Sequence, residues 1–151
     1  MIEARMKMSG WMLMLREFRK RFHTTGAVAP SSRQLARAIT DPWRRRKGPA
    51  SVLEVGPGTG SFTAHLLADL QPDDHVRMVE LNAAFVEFLR DWLKNHPQVE
   101  RCPGQIELIH GAVQNLPEDR QFDYIVCGLP FNNFDSALVR SIFRKFRRLA
   151  R

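Results

Sequence analysis

The residues best equipped for chemistry are grouped in two short segments. The first is Glu54-Val55-Gly56-Pro57-Gly58-Thr59-Gly60. It follows an apolar run that reads as a strand, Ser51 to Val55, and it opens a run with helical spacing. Glycines in that context let the backbone turn tightly and approach a ligand closely. The free N–H groups of the helix behind them favour a polar or anionic group. The spacing is G-x-G-x-G, with Ser61 where the last glycine of the dinucleotide fingerprint would fall. A loop without a wide phosphate cradle suits a ligand that has no pyrophosphate, which argues against nicotinamide and flavin dinucleotides. The second segment supplies an acid, Glu80, at the end of the next strand and 22 residues after Gly58. A carboxylate there can accept hydrogen bonds from both ribose hydroxyls of an adenosine. The competing reading is a tight strand-to-helix turn beside a surface acid.

The elements that must position these groups alternate. Apolar runs predict strands over His75–Leu81, Gln105–Ile109 and Phe122–Cys127. Helical periodicity covers Ser61–Leu70, with Phe62, Leu66, Leu67 and Leu70 on one face. It also covers Ala83–Asn95, with Phe85, Phe88, Leu89 and Trp92 inward, and a last helix that Asp135 caps, through Leu149. Ahead of them Met8, Trp11, Leu15, Phe18 and Phe22 form an apolar stripe over 8–23. Ser31 or Ser32 caps a second helix through Ile39, with a break at Asp41-Pro42. Two helices followed by alternating strands and helices predict an α/β fold with a parallel sheet. The division expected is a basic helical region, 1–47, and a cofactor-binding α/β domain, 48–151.

Composition excludes other classes. With 44% hydrophobic and 26% charged residues in 151, the chain is neither disordered nor a disulfide scaffold. No stretch is apolar enough for a membrane span, and the N-terminus has no clean apolar core of a signal peptide. Cys102 and Cys127 lack metal-binding spacing, so no metal is expected and a reducing cytoplasm is. Charge is segregated. Residues 1–47 hold 12 Lys/Arg against 3 Asp/Glu, residues 48–139 hold 5 against 13, and residues 140–151 hold 6 against none. Basic ends imply an anionic partner, nucleic acid or lipid, or else a solvated face.

The glycine loop together with the acid resembles class I S-adenosylmethionine-dependent methyltransferases, whose first motif is E-x-G-x-G-x-G and whose second is the acid after strand two. The resemblance implies a Rossmann-like sheet, its four strands in the order 3-2-1-4, binding S-adenosyl-L-methionine. Gly56, Gly58 and Gly60, with Pro57 and Thr59 between them, would surround the methionine part. Glu54 would orient the loop or the amino group, and Glu80 would hold the ribose. Leu81 and Asn82 would lie beside the adenine. In this superfamily the segment after strand four faces the sulfonium methyl, and here it reads Gly128-Leu129-Pro130-Phe131. N-methyltransferases carry a polar-x-Pro-aromatic motif there. The Leu129 carbonyl would accept an amine N–H, Pro130 would set the turn, and the Phe131 ring would stabilise charge developing on nitrogen.

Two subfamilies compete. Ribosomal RNA adenine dimethylases carry Asn where this chain has Gly128. Bacterial phospholipid N-methyltransferases resemble it more closely, at Thr25-Gly26-Ala27-Val28-Ala29-Pro30-Ser31-Ser32-Arg33, at Leu53 to Gly60, and at Gly128-Leu129-Pro130 with Asn133-Phe134. The expected acceptor is therefore a phosphatidylethanolamine-like headgroup. The expected partner is an anionic membrane surface met by residues 8–23, with location at the inner face of the cell membrane. The alternatives are RNA adenine methylation, with the Arg44-Arg45-Arg46-Lys47 linker tracking phosphate, and a binding module without activity. Two departures stand out. Ala112 replaces an acid that meets the adenine in many relatives, leaving Gln114 and Asn115 nearby. The sheet also stops at a fourth strand too apolar for a free edge. This reads as the cofactor-binding half of a larger enzyme, whose strand-four edge meets a second copy or a missing C-terminal half.

Overall fold

The computed structural model describes residues 30–102 and 104–151, with side chains from Arg33 onward. The helix expected over 8–23 lies outside the described residues. Leu35–Arg151 form one compact unit; residues 1–34 form another, of which only 30–34 are described.

The chain runs α1 (Pro30–Arg44), β1 (Ser51–Val55), α2 (Ser61–Ala68), β2 (His75–Glu80), α3 (Ala83–Lys94) and α4 (Pro97–Arg101). It continues through β3 (Ile106–His110), β4 (Tyr124–Cys127) and α5 (Ser136–Leu149), with 3₁₀ turns at Val113–Asn115 and Phe131–Asn133. The four strands form one sheet in the order β3-β2-β1-β4. All pairs are parallel, and Val52 lies opposite both Val76 and Tyr124. The parallel α/β sheet is what the alternation predicts, and its order is the Rossmann-like one that the resemblance implies. Every residue of the central strand β1 is buried, as a parallel strand covered on both faces requires. On one face Val52, Val76, Met78 and Val126 pack with Leu66, Leu67 and Leu93. On the other, Leu53, Val55 and Val79 pack with Phe122, Ile142 and Leu149.

Several local expectations are corrected. Asp41-Pro42 does not break the second helix, because α1 continues to Arg44. Pro42 removes one helical N–H, but the next residue anchors the turn. Trp43 is fully buried, and its Nε1 donates to the Leu66 carbonyl at 3.0 Å. In α3 the inward residues are Val86, Leu89 and Leu93, while Phe88 is half exposed. The aromatic residues suggested a stripe turned away from the one that packs. Strand bounds shift by a residue or two. β2 ends at Glu80 rather than Leu81, β3 runs from Ile106 to His110, and β4 begins at Tyr124. Phe122 instead forms a parallel bridge with Ala150: its N–H donates to Leu149 O at 2.7 Å, and Arg151 N–H donates to Phe122 O at 3.0 Å. The residues after α5 thus return beside β4 and cover the start of its outer edge. The short α4 was not foreseen. His96 caps it and Pro97 begins it, a signal present in the sequence but hidden by its shortness.

The basic linker is partly consumed by the fold. Arg44 and Arg45 pair with Asp41. Arg46 is buried over the Trp43 ring and ion-paired to the fully buried Asp74. Asp74 also accepts from Ala50 N at 2.9 Å and Gln71 N at 2.6 Å. Of the linker arginines only Arg46 is taken into the interior, while Arg44 and Arg45 stay on the surface. Asp74→Ala leaves the Arg46 guanidinium buried without its partner, and a loss of about 3–5 kcal/mol is expected. Denaturant unfolding checks it; a loss under about 1 kcal/mol would mean that water replaces the carboxylate.

Candidate active site

The glycine loop leaves β1 at the carboxyl edge of the sheet. Gly56, Gly58 and Gly60 all have positive φ, at 68°, 58° and 85°. At Gly56 the left-handed φ itself calls for glycine, and a Cβ there would also lie 2.7 Å from Leu129 Cδ2. At Gly128 the reason is space: a Cβ would lie 2.6 Å from the Gly56 carbonyl oxygen. The ends of β1 and β4 therefore meet at two glycines, with Gly128 N donating to Val55 O at 2.8 Å. Over Gly58 the space is open, so a ligand can reach that backbone. Pro57 is buried beneath the turn and Thr59 is exposed.

Glu80, almost fully buried at the end of β2, is tied to the loop. Its Oε2 accepts from Gly58 N at 3.0 Å and its Oε1 from Asn82 N at 2.8 Å. Asn82 caps α3, its Oδ1 accepting from Ala84 N at 2.9 Å and Phe85 N at 3.3 Å. Leu81 lies between them, partly exposed, and its carbonyl is 3.2 Å from His110 Nε2.

Glu54 is fully buried. Its Oε2 accepts from Thr63 Oγ1 at 2.8 Å, and its Oε1 has no hydrogen-bond partner. Burial pushes its carboxyl up to about 7; the Thr63 hydrogen bonds oppose that rise and the neighbouring Glu80 charge adds to it. An orphaned carboxylate oxygen in a closed interior is costly, and a cationic group would satisfy it.

The segment after β4 turns sharply. Pro130 adopts φ −81°, ψ 74°, and Phe131 N donates to Leu129 O at 3.0 Å, the geometry of an inverse γ-turn. The Leu129 carbonyl thus accepts one bond within the turn and keeps its second lone pair. The Phe131 ring stacks on Phe143 of α5, with centroids 5.3 Å apart and planes 29° apart, and meets Phe134 edge-on at 6.1 Å. One of its faces is therefore covered by α5.

Glycine loop, buried acid pair and Pro-Phe turn all converge where β1 and β4 diverge, the switch point at which open α/β sheets bind ligands. Residues 52–151 match the methyltransferase domain family. An ornithine lipid N-methyltransferase of Singulisphaera acidiphila is 30% identical over 139 residues, covering 91% of this chain and 70% of that protein. This chain is a class I S-adenosylmethionine-dependent methyltransferase. A ribosomal RNA small subunit methyltransferase A of a Synechococcus strain is 32% identical over 115 residues, 76% of this methyltransferase and 37% of that one. The glycopeptide N-methyltransferase MtfA, solved with sinefungin, shares the fold with a TM-score of 0.64 at 22% identity, over 83% of this chain and 48% of its own. The methyltransferase thus spans about half the length of that solved relative.

The residues of this methyltransferase fit the family's cofactor. The orphaned Glu54 oxygen suits an ammonium, Glu80 already presents both carboxylate oxygens at the loop, and open space lies over Gly58. The sequence did not single out Thr63 or Phe143. Thr63, nine residues after Glu54, is buried in the first turn of α2, and a hydroxyl on an otherwise apolar face was its only signal. Phe143 meets Phe131 only through the tertiary packing of α5. Among the described residues no cluster of three or more His, Cys, Asp or Glu is placed to hold a metal. None of their helices is long and apolar enough to cross a membrane.

Proposed function

We propose that this methyltransferase transfers a methyl group from S-adenosylmethionine to the amine of a lipid headgroup. One observation carries the reading: the ornithine lipid N-methyltransferase aligns with 91% of this chain, whereas the ribosomal RNA enzyme matches it over a smaller part of both proteins. Gly128 supports it. The RNA dimethylases it resembles carry Asn there, and in this fold a Cβ at 128 would strike the Gly56 carbonyl. S-adenosylmethionine, when bound, supplies an electrophilic methyl for an amine, leaving S-adenosylhomocysteine and, from a primary or secondary amine, a proton released to water. Glu54 and Glu80 would hold its ammonium and ribose, and the three glycines would let its chain lie against the backbone. Leu129 and Pro130 set the height of the Phe131 ring, whose remaining face stabilises charge growing on the acceptor nitrogen. The work of the chain is positioning. The enzyme would act from the cytoplasmic side, at the inner face of the membrane, with residues 8–23 as one lipid contact. The outer edge of β4 past Phe122 would meet a second copy or a further part of the sheet.

The test is transfer of labelled methyl from S-adenosylmethionine to phosphatidylethanolamine or ornithine lipid in mixed micelles, against a structured RNA. Label in lipid supports the reading; label only in RNA overturns it. Phe131→Ala is expected to lower kcat about tenfold while leaving cofactor affinity within a factor of about three. A loss of cofactor affinity alone would remove Phe131 from the acceptor's side.

A further inference from the structure

About half of the described cations are ion-paired: Arg44 and Arg45 bind Asp41, Arg46 binds Asp74, Arg77 binds Glu107 and Asp119, Lys94 binds Asp91, Lys145 and Arg148 bind Glu118, and Arg151 binds Asp123. Among those left over, three arginines share one face of α5. Arg140, Arg144 and Arg147 have no ion pair among the described residues; Arg140 donates to the Ser136 hydroxyl and Arg144 to the Arg140 carbonyl. All three are exposed. Their spacing of four and three places them on one stripe of the helix, opposite Ile142 and Leu149, which are buried against the sheet. The next position on that stripe is Phe143, half exposed although it is a large aromatic residue. Phe143 borders an open, mainly apolar groove of about 440 Å³, lined also by Ile125, Cys127, Phe131 and Phe146, with Arg147 at its rim. Cations and apolar surface therefore share one face, and Phe143 joins that face to Phe131.

We propose that this face of α5 is a contact for an anionic lipid bilayer, lying in the plane of the interface. Arg140, Arg144 and Arg147 meet lipid phosphates, and Phe143 enters the acyl boundary. The contact brings the Leu129–Phe131 turn to the depth at which a lipid amine lies. Charge complementarity selects an anionic surface. The lipid-amine reading selects a bilayer over a nucleic acid, against whose bases an exposed ring would also stack. At a bilayer the arginines meet the phosphates while the ring reaches the acyl boundary. The inference rests on the lipid-amine reading above and extends it from the acceptor to the surface on which the acceptor is met. It is independent of residues 8–23.

The experiment compares the full chain with Arg140→Glu/Arg144→Glu/Arg147→Glu in sedimentation with vesicles of phosphatidylcholine and phosphatidylglycerol in equal parts, and with phosphatidylcholine alone. The wild-type chain is expected to bind the anionic vesicles. The triple variant is expected to lose at least about tenfold in partitioning, with melting temperature and S-adenosylhomocysteine affinity unchanged. A second variant, Phe143→Trp, reads insertion: its added fluorescence is expected to be quenched by lipids brominated in the acyl chain. Equal partitioning of the wild-type and triple variant would overturn the proposal, as would absence of quenching. Unchanged vesicle binding with loss of RNA binding would assign the face to nucleic acid and overturn it too. If the α5 face binds vesicles as expected but no lipid amine is methylated, the acceptor assignment falls and this contact stands.

Discussion

Glu80→Ala is expected to weaken S-adenosylhomocysteine binding by about 2–3 kcal/mol, since charge-assisted bonds to two ribose hydroxyls disappear together. The structure adds a second consequence. The Glu80 carboxylate already accepts from Gly58 N and Asn82 N, so the same change releases the glycine loop and the start of α3. The ligand-free protein should lose a further ~1–3 kcal/mol of stability through two partly buried donors left without acceptors. Glu80→Gln retains one acceptor oxygen and should fall between wild type and Ala on both measures. Calorimetric titration and ligand-free denaturant unfolding separate the two effects. Unchanged affinity in the Ala variant would mean that the ribose is held elsewhere.

Glu54→Gln should move stability and binding in opposite directions. In the folded chain the Glu54 carboxyl is pushed up to about 7 from an ordinary 4.5. Between those two values the folded protein holds a proton that the unfolded chain has released. Stability therefore falls as pH rises through that window, by up to about 3 kcal/mol once pH passes the folded value. Gln cannot ionise, so its variant should show no such slope and should be the more stable protein at pH 8. It should also bind S-adenosylhomocysteine more weakly, because a neutral amide replaces the carboxylate that would face an ammonium. The wild-type protein should release part of a proton on binding at pH 6, read by calorimetry in buffers of different ionisation enthalpy. Equal pH slopes for the two proteins would show that Glu54 is already ionised when the site is free of ligand.

Much of this was legible in the chain because it is local. The apolar run Ser51–Val55 buried on both faces, the three glycines at positive φ and the acid at the end of β2 are matters of spacing. A parallel sheet built from alternating strands and helices has few topologies that avoid left-handed crossovers, and the order β3-β2-β1-β4 is the one among them that the family resemblance implies. The inward face of α3 followed only in part. Leu89 is buried and Trp92 packs partly on the core as expected, but Val86 and Leu93 are buried while Phe88 stays half exposed, because packing rewards shape that fits the sheet rather than apolar size alone.

By itself the sequence determined that a glycine-rich loop and an acid stand at adjacent strand ends, since backbone geometry and a period of two leave few other placements. Only the tertiary structure decided what each group does there. It set the protonation of Glu54, which depends on closure from water and on Thr63 from another element. It set the absence of any side chain at 128, which depends on the approach of β4 to Gly56. It also took Arg46 into the interior beside Asp74 and left Arg140, Arg144 and Arg147 without ion pairs on one helical face. Charge in a sequence has no address until distant residues either neutralise it or leave it facing water.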